Sequence, residues 1–375
     1  MSRMVPILWL LHVYIGARLL PDLQFGVTGI VLGSVVLLAS AWLIPYGFRR
    51  RRAVVAGREK TLMWAGLVAL GAFSSLFVLT ALRDVALVVM LALALAFPIT
   101  VQSFVTWSAV AVPVLTALLT LIGYVNARRV AKVRTVDVPI ASLPPSLAGF
   151  TIAQITDVHI GPTIARRDVE AIIDVVNGLD ADLVAITGDL VDGTVAQLAQ
   201  HTAPLARIAA RHGTYFVTGN HEYYSGVHPW IGELRRLGVN VLLNEHVVLD
   251  HGGATIVVAG VTDPSAHHFD PSHRSDPARA IAGAPASAVK LLLAHQPRSA
   301  MAAAKAGFDL QLSGHTHGGQ FVPWTFFVRF QQPFTAGLAR LGRLWVYTSR
   351  GTGYWGPPKR LGAPSEITRL RLVPA

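Results

Sequence analysis

Three aspartates, one asparagine and five histidines, with a glutamate beside them, recur at five places in the second half of a 375-residue chain. They are Asp157 and His159; Asp189 and Asp192; Asn220, His221 and Glu222; His295; and His315 with His317. Carboxylate, amide carbonyl and neutral imidazole all ligate divalent first-row metals. Two such ions about 3.5–4 Å apart clamp a phosphoryl group from both sides. The chain has no cysteine, which excludes disulfides, thiolate metal sites and Cys nucleophiles. Any metal is therefore held by N and O donors, a set that admits Mn, Fe, Zn, Co or Ni.

One Asp or His alone is more often a cap or a turn residue, and that plain reading is strongest for Asp192 and Glu222. The elements around the set argue otherwise. FTIAQIT (150–156), DLVAIT (182–187) and TYFVT (214–218) read as buried strands, with helices expected at 166–177, 196–210 and 228–237. Together they form a βαβαβ unit. Further strands are expected at 240–243, 246–250, 254–260, 288–294, 309–312, 344–348 and 366–372, and a helix at 298–306. Each candidate group follows a strand, and open α/β sheets bind ligands beyond the carboxyl ends of their strands. Strand-like alternation in Asp157-Val158-His159 would point both polar side chains one way.

Residues 1–135 are different in kind. They carry a net charge of +10, against +1 for the remainder. The basic balance therefore concerns membrane topology, and no nucleic-acid partner is expected. Five apolar stretches, at 5–20, 26–47, 62–82, 85–102 and 104–125, approach or exceed the roughly 20 residues of a spanning helix. Four or five spans are therefore expected. Arg49, Arg50, Arg51, Arg52, Arg58 and Lys60 form one basic loop, and Arg128, Arg129, Lys132 and Arg134 another. The positive-inside rule puts both in the cytoplasm. That needs an even number of spans between them, so the side of the second domain depends on whether 85–102 is a separate span. The preferred side is cytoplasmic. Residues 131–149 read as a linker, with Val136, Val138 and Ile140 alternating before Pro144 and Pro145.

The motifs DVH (157–159), GDLVD (188–192), GNHE (219–222), AHQP (294–297) and GHTHGG (314–319) resemble those of the calcineurin-like metallophosphoesterases, over roughly residues 150–372. The likeness extends to a subgroup with a terminal GHTHGGQ and N-terminal spans. It implies an α/β chain with a transmembrane α-helical bundle (1–130), a linker (131–149) and a four-layer αββα sandwich (150–375). It also implies the roles. Asp157, His159 and His317 would hold one divalent metal ion; Asn220, His295 and His315 a second; Asp189 both. Asp192 and Glu222 would orient their neighbours, and His221 would protonate the leaving oxygen while a metal-bridging hydroxide attacks phosphorus.

Three other segments carry open readings. The aromatic run 321–330, with Trp324, Phe326 and Phe327, either packs under the sandwich or dips into a lipid headgroup layer as part of an amphiphilic-substrate site. Arg350 and Arg360, in a Gly/Pro-rich loop, suit phosphate recognition or plain surface charge. HHFDPSHRSDP (267–277) reads as a mobile polar loop, metal-like in composition but without regular spacing. The partners implied are a phosphoester substrate and a lipid bilayer. The competing functions are a receptor or scaffold that binds a phosphorylated ligand without turnover, and a transporter regulated by its second domain.

Overall fold

The computed structural model describes residues 4–48 and 57–375. Arg49, Arg50, Arg51 and Arg52 of the first basic loop lie outside the described residues. Two compact units emerge. One runs to Asn126 and takes in Gly356–Leu361; the other comprises Ala127–Trp355 and Gly362–Ala375.

In the first unit the apolar stretches fold as α1 (Met4–Leu19), α2 (Gly26–Phe48), α3 (Gly57–Ala94) and α4 (Val101–Arg128). The last three are long and apolar enough to cross a membrane. Large apolar side chains such as Val36, Val88 and Trp107 are exposed on them, as suits a lipid solvent. The stretches 62–82 and 85–102 do not form two separate helices, because α3 runs unbroken for 38 residues to Ala94. Its central charges interrupt the hydropathy pattern without breaking the helix, since both are paired where they stand. Arg83 donates to the Asp22 carboxylate at 2.5 Å and to the Arg18 carbonyl at 2.9 Å. Asp84 accepts from the Tyr14 hydroxyl at 2.7 Å and from Arg18 Nε at 3.0 Å. Charges within a bundle persist when satisfied in this way. Small residues set the close packing: a Cβ on Gly66 would lie 2.4 Å from the Leu43 carbonyl oxygen. Lys359, only 1% exposed, donates through Nζ to the Gly71 carbonyl at 2.8 Å and Ser75 Oγ at 2.6 Å.

The second unit holds two six-stranded sheets. The first has the order β1 (Lys132–Ile140), β12 (Glu366–Pro374), β2 (Thr151–Ile155), β3 (Leu183–Ile186), β4 (Thr214–Phe216), β5 (Asn240–Val241). The second has the order β10 (Gly337–Leu341), β11 (Leu344–Thr348), β9 (Leu310–Ser313), β8 (Val289–Leu293), β7 (Ala254–Gly260), β6 (Glu245–His251). Strands β2 to β5 run parallel, as do β7, β8, β9 and β11. Their near-continuous apolar sequences follow from burial on both faces. Between the sheets lie Ile152, Leu183 and Leu370 against Val258, Leu291 and Leu312. Outside the first sheet pack α5 (Arg166–Asn177), α6 (Val195–Thr202), α7 (Asn220–Ser225) and α8 (Val227–Arg236), with Ile173, Leu198, Tyr223 and Trp230 in one core. Outside the second lie α9 (Pro277–Ile281) and α10 (Ala300–Ala306). The layers are αββα, as the family resemblance implies.

Three local expectations change. The supposed linker contains β1, which pairs with β12 over nine residues; Val138 and Ile140 are buried in the inter-sheet core. The alternation at 136–140 was a strand signal, and pairing protects the β12 edge. The helix expected at 196–210 stops at Thr202 and becomes a 3-10 turn, Ala203–Arg207, because Pro204 cannot supply an interior helix N–H. The GLARL segment forms β10, too short and mixed to stand out in sequence.

Candidate metal centre

The five groups leave the carboxyl ends of β2, β3, β4, β8 and β9, and the structure brings them to one rim. Asp157, His159 and His317 have ligand atoms all within 4.8 Å of one another, as do His159, Asp189 and His221, and Asp189, His295 and His315. Asp189 belongs to the last two sets, and His159 links the first to the second. The contacts are those of converging ligands. His159 Nε2 lies 3.1 Å from His317 Nε2, and His317 Nε2 lies 3.5 Å from Asp157 Oδ1. Asp189 Oδ2 is 3.2 Å from His295 Nε2, which is 3.2 Å from His315 Nδ1. Metal–ligand bonds near 2.0–2.1 Å in tetrahedral array put neighbouring donors about 3.3 Å apart, so the spacing fits a first-row cation. A further observation fits the same group: Asn220 Oδ1 is buried and accepts no hydrogen bond. An orphaned buried carbonyl costs about 1–3 kcal/mol, and a cation would remove that cost.

The backbone does not present these side chains by strand alternation. Asp157, His159, Asp189, His315 and His317 all have positive φ, between 50° and 69°. The chain turns left-handed as it leaves β2, β3 and β9, and Val158 still enters the core. Glycine is required where backbone meets carboxylate. A Cβ on Gly314 would lie 2.1 Å from Asp157 Oδ2, and one on Gly219 would lie 2.2 Å from Asp189 Oδ1. Backbone amides then fix the acids: His315 N–H donates to Asp157 and His221 N–H to Asp189, each at 2.9 Å.

Asp192 and Glu222 touch the residues they were expected to orient. Asp192 Oδ1 accepts from His221 Nδ1 in a very short contact and lies 3.3 Å from His159 Nδ1. Glu222 accepts the backbone N–H groups of Asp189 at 3.0 Å, Leu190 at 2.8 Å and Gly219 at 2.6 Å, bracing two of the turns. Two neighbours of His221 carried no sequence signal. Trp355 and Tyr224 place their rings 5.8 and 5.3 Å from it, and Trp355 is held by reciprocal hydrogen bonds with Gln320. Arg350 pairs with Glu366 at 3.1 Å. Arg360 is buried in the first unit, its N–H bonded to the Gly123 carbonyl. Trp324 stands on α11 (Trp324–Phe327), and with Phe326, Phe327 and Phe330 it is exposed rather than packed under the sandwich.

Buried charge sets the protonation. Burial acts to raise the Asp189 carboxyl, but the imidazoles of His295, His221 and His159 outweigh it and hold the group well below the usual carboxylate range. Burial acts to lower His295, yet the Asp189 and Asp157 carboxylates push it well above the usual imidazole value. His315 is lowered to about 3 by burial and by the charge on His295. His315 therefore offers a lone pair at neutral pH, whereas a cation held by His295 would displace a proton.

The family profile for calcineurin-like phosphoesterases matches residues 150–319. A metallophosphoesterase of Aquifex aeolicus is 33% identical over 226 residues, spanning 60% of this chain and 85% of its own. Proteins named transmembrane protein with metallophosphoesterase domain are 38% identical over 270 residues in Danio rerio and 41% over 272 in Bos taurus. These alignments span 70% and 69% of this chain but only 62% and 61% of those relatives. With the three apolar helices, they support a membrane protein.

Displacement of the His295 proton has a sign. Metal uptake at pH 7 should release about one proton, and affinity should fall roughly tenfold per pH unit on acidification. Calorimetric titration with Mn²⁺ in two buffers of different ionisation enthalpy measures this; uptake with no proton release would contradict the arrangement.

Proposed function

Because the chain belongs to the calcineurin-like metallophosphoesterases, we propose that it is a membrane-anchored phosphoesterase that works with two divalent cations at this rim. The observation that carries the reading is the convergence of the five strand-end groups on the shared Asp189, with the partnerless Asn220 oxygen among them. Asp157, His159 and His317 would hold one ion, Asn220, His295 and His315 the other, and Asp189 both. When bound, the pair supplies Lewis acidity toward phosphoryl oxygens and lowers the pKa of water. The chain's own groups do the rest. Asp192 orients the His221 ring through Nδ1, which directs Nε2 toward Asp189 Oδ2, 3.9 Å away. An imidazole so held can protonate a leaving alkoxide near neutral pH. A receptor that only binds phosphate needs no such donor.

Assayed with a chromogenic phosphodiester and added Mn²⁺, Asp189→Asn should lose turnover and hold less metal at this rim. His221→Ala should keep its metal and lose at least about 100-fold in turnover. Normal metal-dependent turnover in the Asp189 variant would end this reading.

An amphiphilic or lipid-linked substrate is the class we favour. Phe330 is 78% exposed and Phe326 59%, an apolar surface of a kind that marks a binding site when contiguous. It adjoins the metal motif: a Cβ on Gly319 would lie 2.4 Å from Thr325 Cα. Replacing Trp324 and Phe327 with Ser should cut turnover of a lipid phosphoester several-fold more than that of a small soluble ester. Equal losses would remove the lipid from the proposal.

The continuous α3 bears on topology. With α3 and α4 each crossing once, two spans separate the basic loops, an even number, and the positive-inside rule puts both in the cytoplasm with the catalytic unit. A fluorescent reporter fused after Ala375 should mature in the cytoplasm; signal solely from a reporter active outside it would reverse the assignment.

A further inference from the structure

A second cluster of metal-type ligands stands apart from the residues used above. The loop 261–276 is not a loose polar segment. It forms 3-10 turns at Ala266–His268 and Pro271–His273, and the second turn brings Asp270 and His273 to His228 on the first turn of α8. Donor atoms of these three side chains all lie within 4.8 Å of one another. Asp270 Oδ2 is 3.1 Å from His228 Nε2 and 3.9 Å from His273 Nε2. These values bracket the spacing of about 3.3 Å expected around a tetrahedral first-row ion.

From this geometry we propose that His228, Asp270 and His273 form an independent mononuclear site for a divalent ion of the zinc class.

The surroundings distinguish it from a surface ion pair. The two oxygens of Asp270 have separate tasks: Oδ1 accepts from Ser272 N at 2.9 Å and Oγ at 2.6 Å, while Oδ2 faces both imidazoles. His273 is buried. Its Nδ1 meets the Tyr223 hydroxyl at 2.8 Å, so Nε2 is the atom directed at Asp270. Its carbonyl is anchored by Thr262 Oγ1 at 2.8 Å. A ligating imidazole whose other nitrogen is fixed by an outer partner is the usual construction of a metal site. His228 is exposed, which gives the ion a route from solvent. Two imidazoles and one carboxylate leave a fourth position for water. Once filled, the site would clip the loop to α8. Through Tyr223 it would also touch the helix that carries Asn220, His221 and Glu222.

The test uses the full chain in detergent, with zinc counted by elemental mass spectrometry. His228→Ala/His273→Ala should hold one equivalent less than the parent chain. The same pair introduced into Asp189→Asn, which weakens the other centre, should abolish a Co²⁺ d–d absorption band that Asp189→Asn alone retains. An independent reading on the unaltered chain guards against misfolding of the variant. Zn²⁺ should protect His228 and His273 from diethylpyrocarbonate, mapped by peptide mass. Unchanged zinc content in the folded double variant, or no protection by zinc, would overturn the site. Neither result depends on phosphoester turnover, so failure of the proposed activity would leave this test intact.

Discussion

Burial of the Asp189 carboxylate is the constraint around which the catalytic unit is organised. An ionised carboxylate removed from water costs several kcal/mol unless charge and hydrogen bonds replace the solvent. Here the replacement is extensive. His295 Nε2 lies 3.2 Å from the carboxylate, His159 and His221 lie within about 4 Å, and the His221 N–H donates to it at 2.9 Å. Asp157, also buried, is met by His317 and the His315 N–H, but there burial prevails and pushes the carboxyl above the usual carboxylate value. Without cations the cluster balances itself by holding a proton on His295. On the proposed two-metal reading the same donors would become ligands, and pH would act on metal affinity through the imidazoles.

The backbone bears a cost for this convergence. Five non-glycine residues with positive φ at about 1 kcal/mol each sum to roughly 5 kcal/mol, the low end of the net stability of a domain. Such an outlay persists only where the surroundings over-determine it. They do so here: β2, β3 and β9 are fully buried, Gly219 and Gly314 leave room for the carboxylates, and Glu222 ties the Asp189 turn to the Gly219 turn. The rigid sheets and the strained rim are therefore one design, with the strands fixing the positions and the left-handed turns aiming the side chains.

What the sequence disclosed follows from the same division. Strand cores such as DLVAIT are legible because burial on both faces leaves an uninterrupted apolar run, and the groups after them are legible because each sits at a fixed offset from such a run. Features set by distant partners are not. The 136–140 segment looked like a linker because its partner, β12, lies more than 200 residues away in sequence. His228, Asp270 and His273 have no regular spacing because a helix and a loop contribute them separately. Trp355 carries no motif, and its place near His221 depends on Gln320. Arg350 and Arg360 stand out by residue type alone, which does not reveal the Glu366 ion pair of the first or the burial of the second.

The membrane-type unit obeys the same electrostatic rule by a different route. Arg83, Asp84 and Lys359 are compensated by fixed protein groups: Asp22, Arg18 and Tyr14 for the first two, and the Gly71 carbonyl with Ser75 for the third. No donor set there leaves a partnerless buried carbonyl of the Asn220 kind; the nearest case among the described residues is the Thr116 hydroxyl, and a lone hydroxyl is a poor cation ligand. Such internal pairing makes a stable bundle and a poor binding site. The partnerless carbonyl of Asn220 lies instead beside His221 in the second unit, where an added cation would remove the cost of its burial.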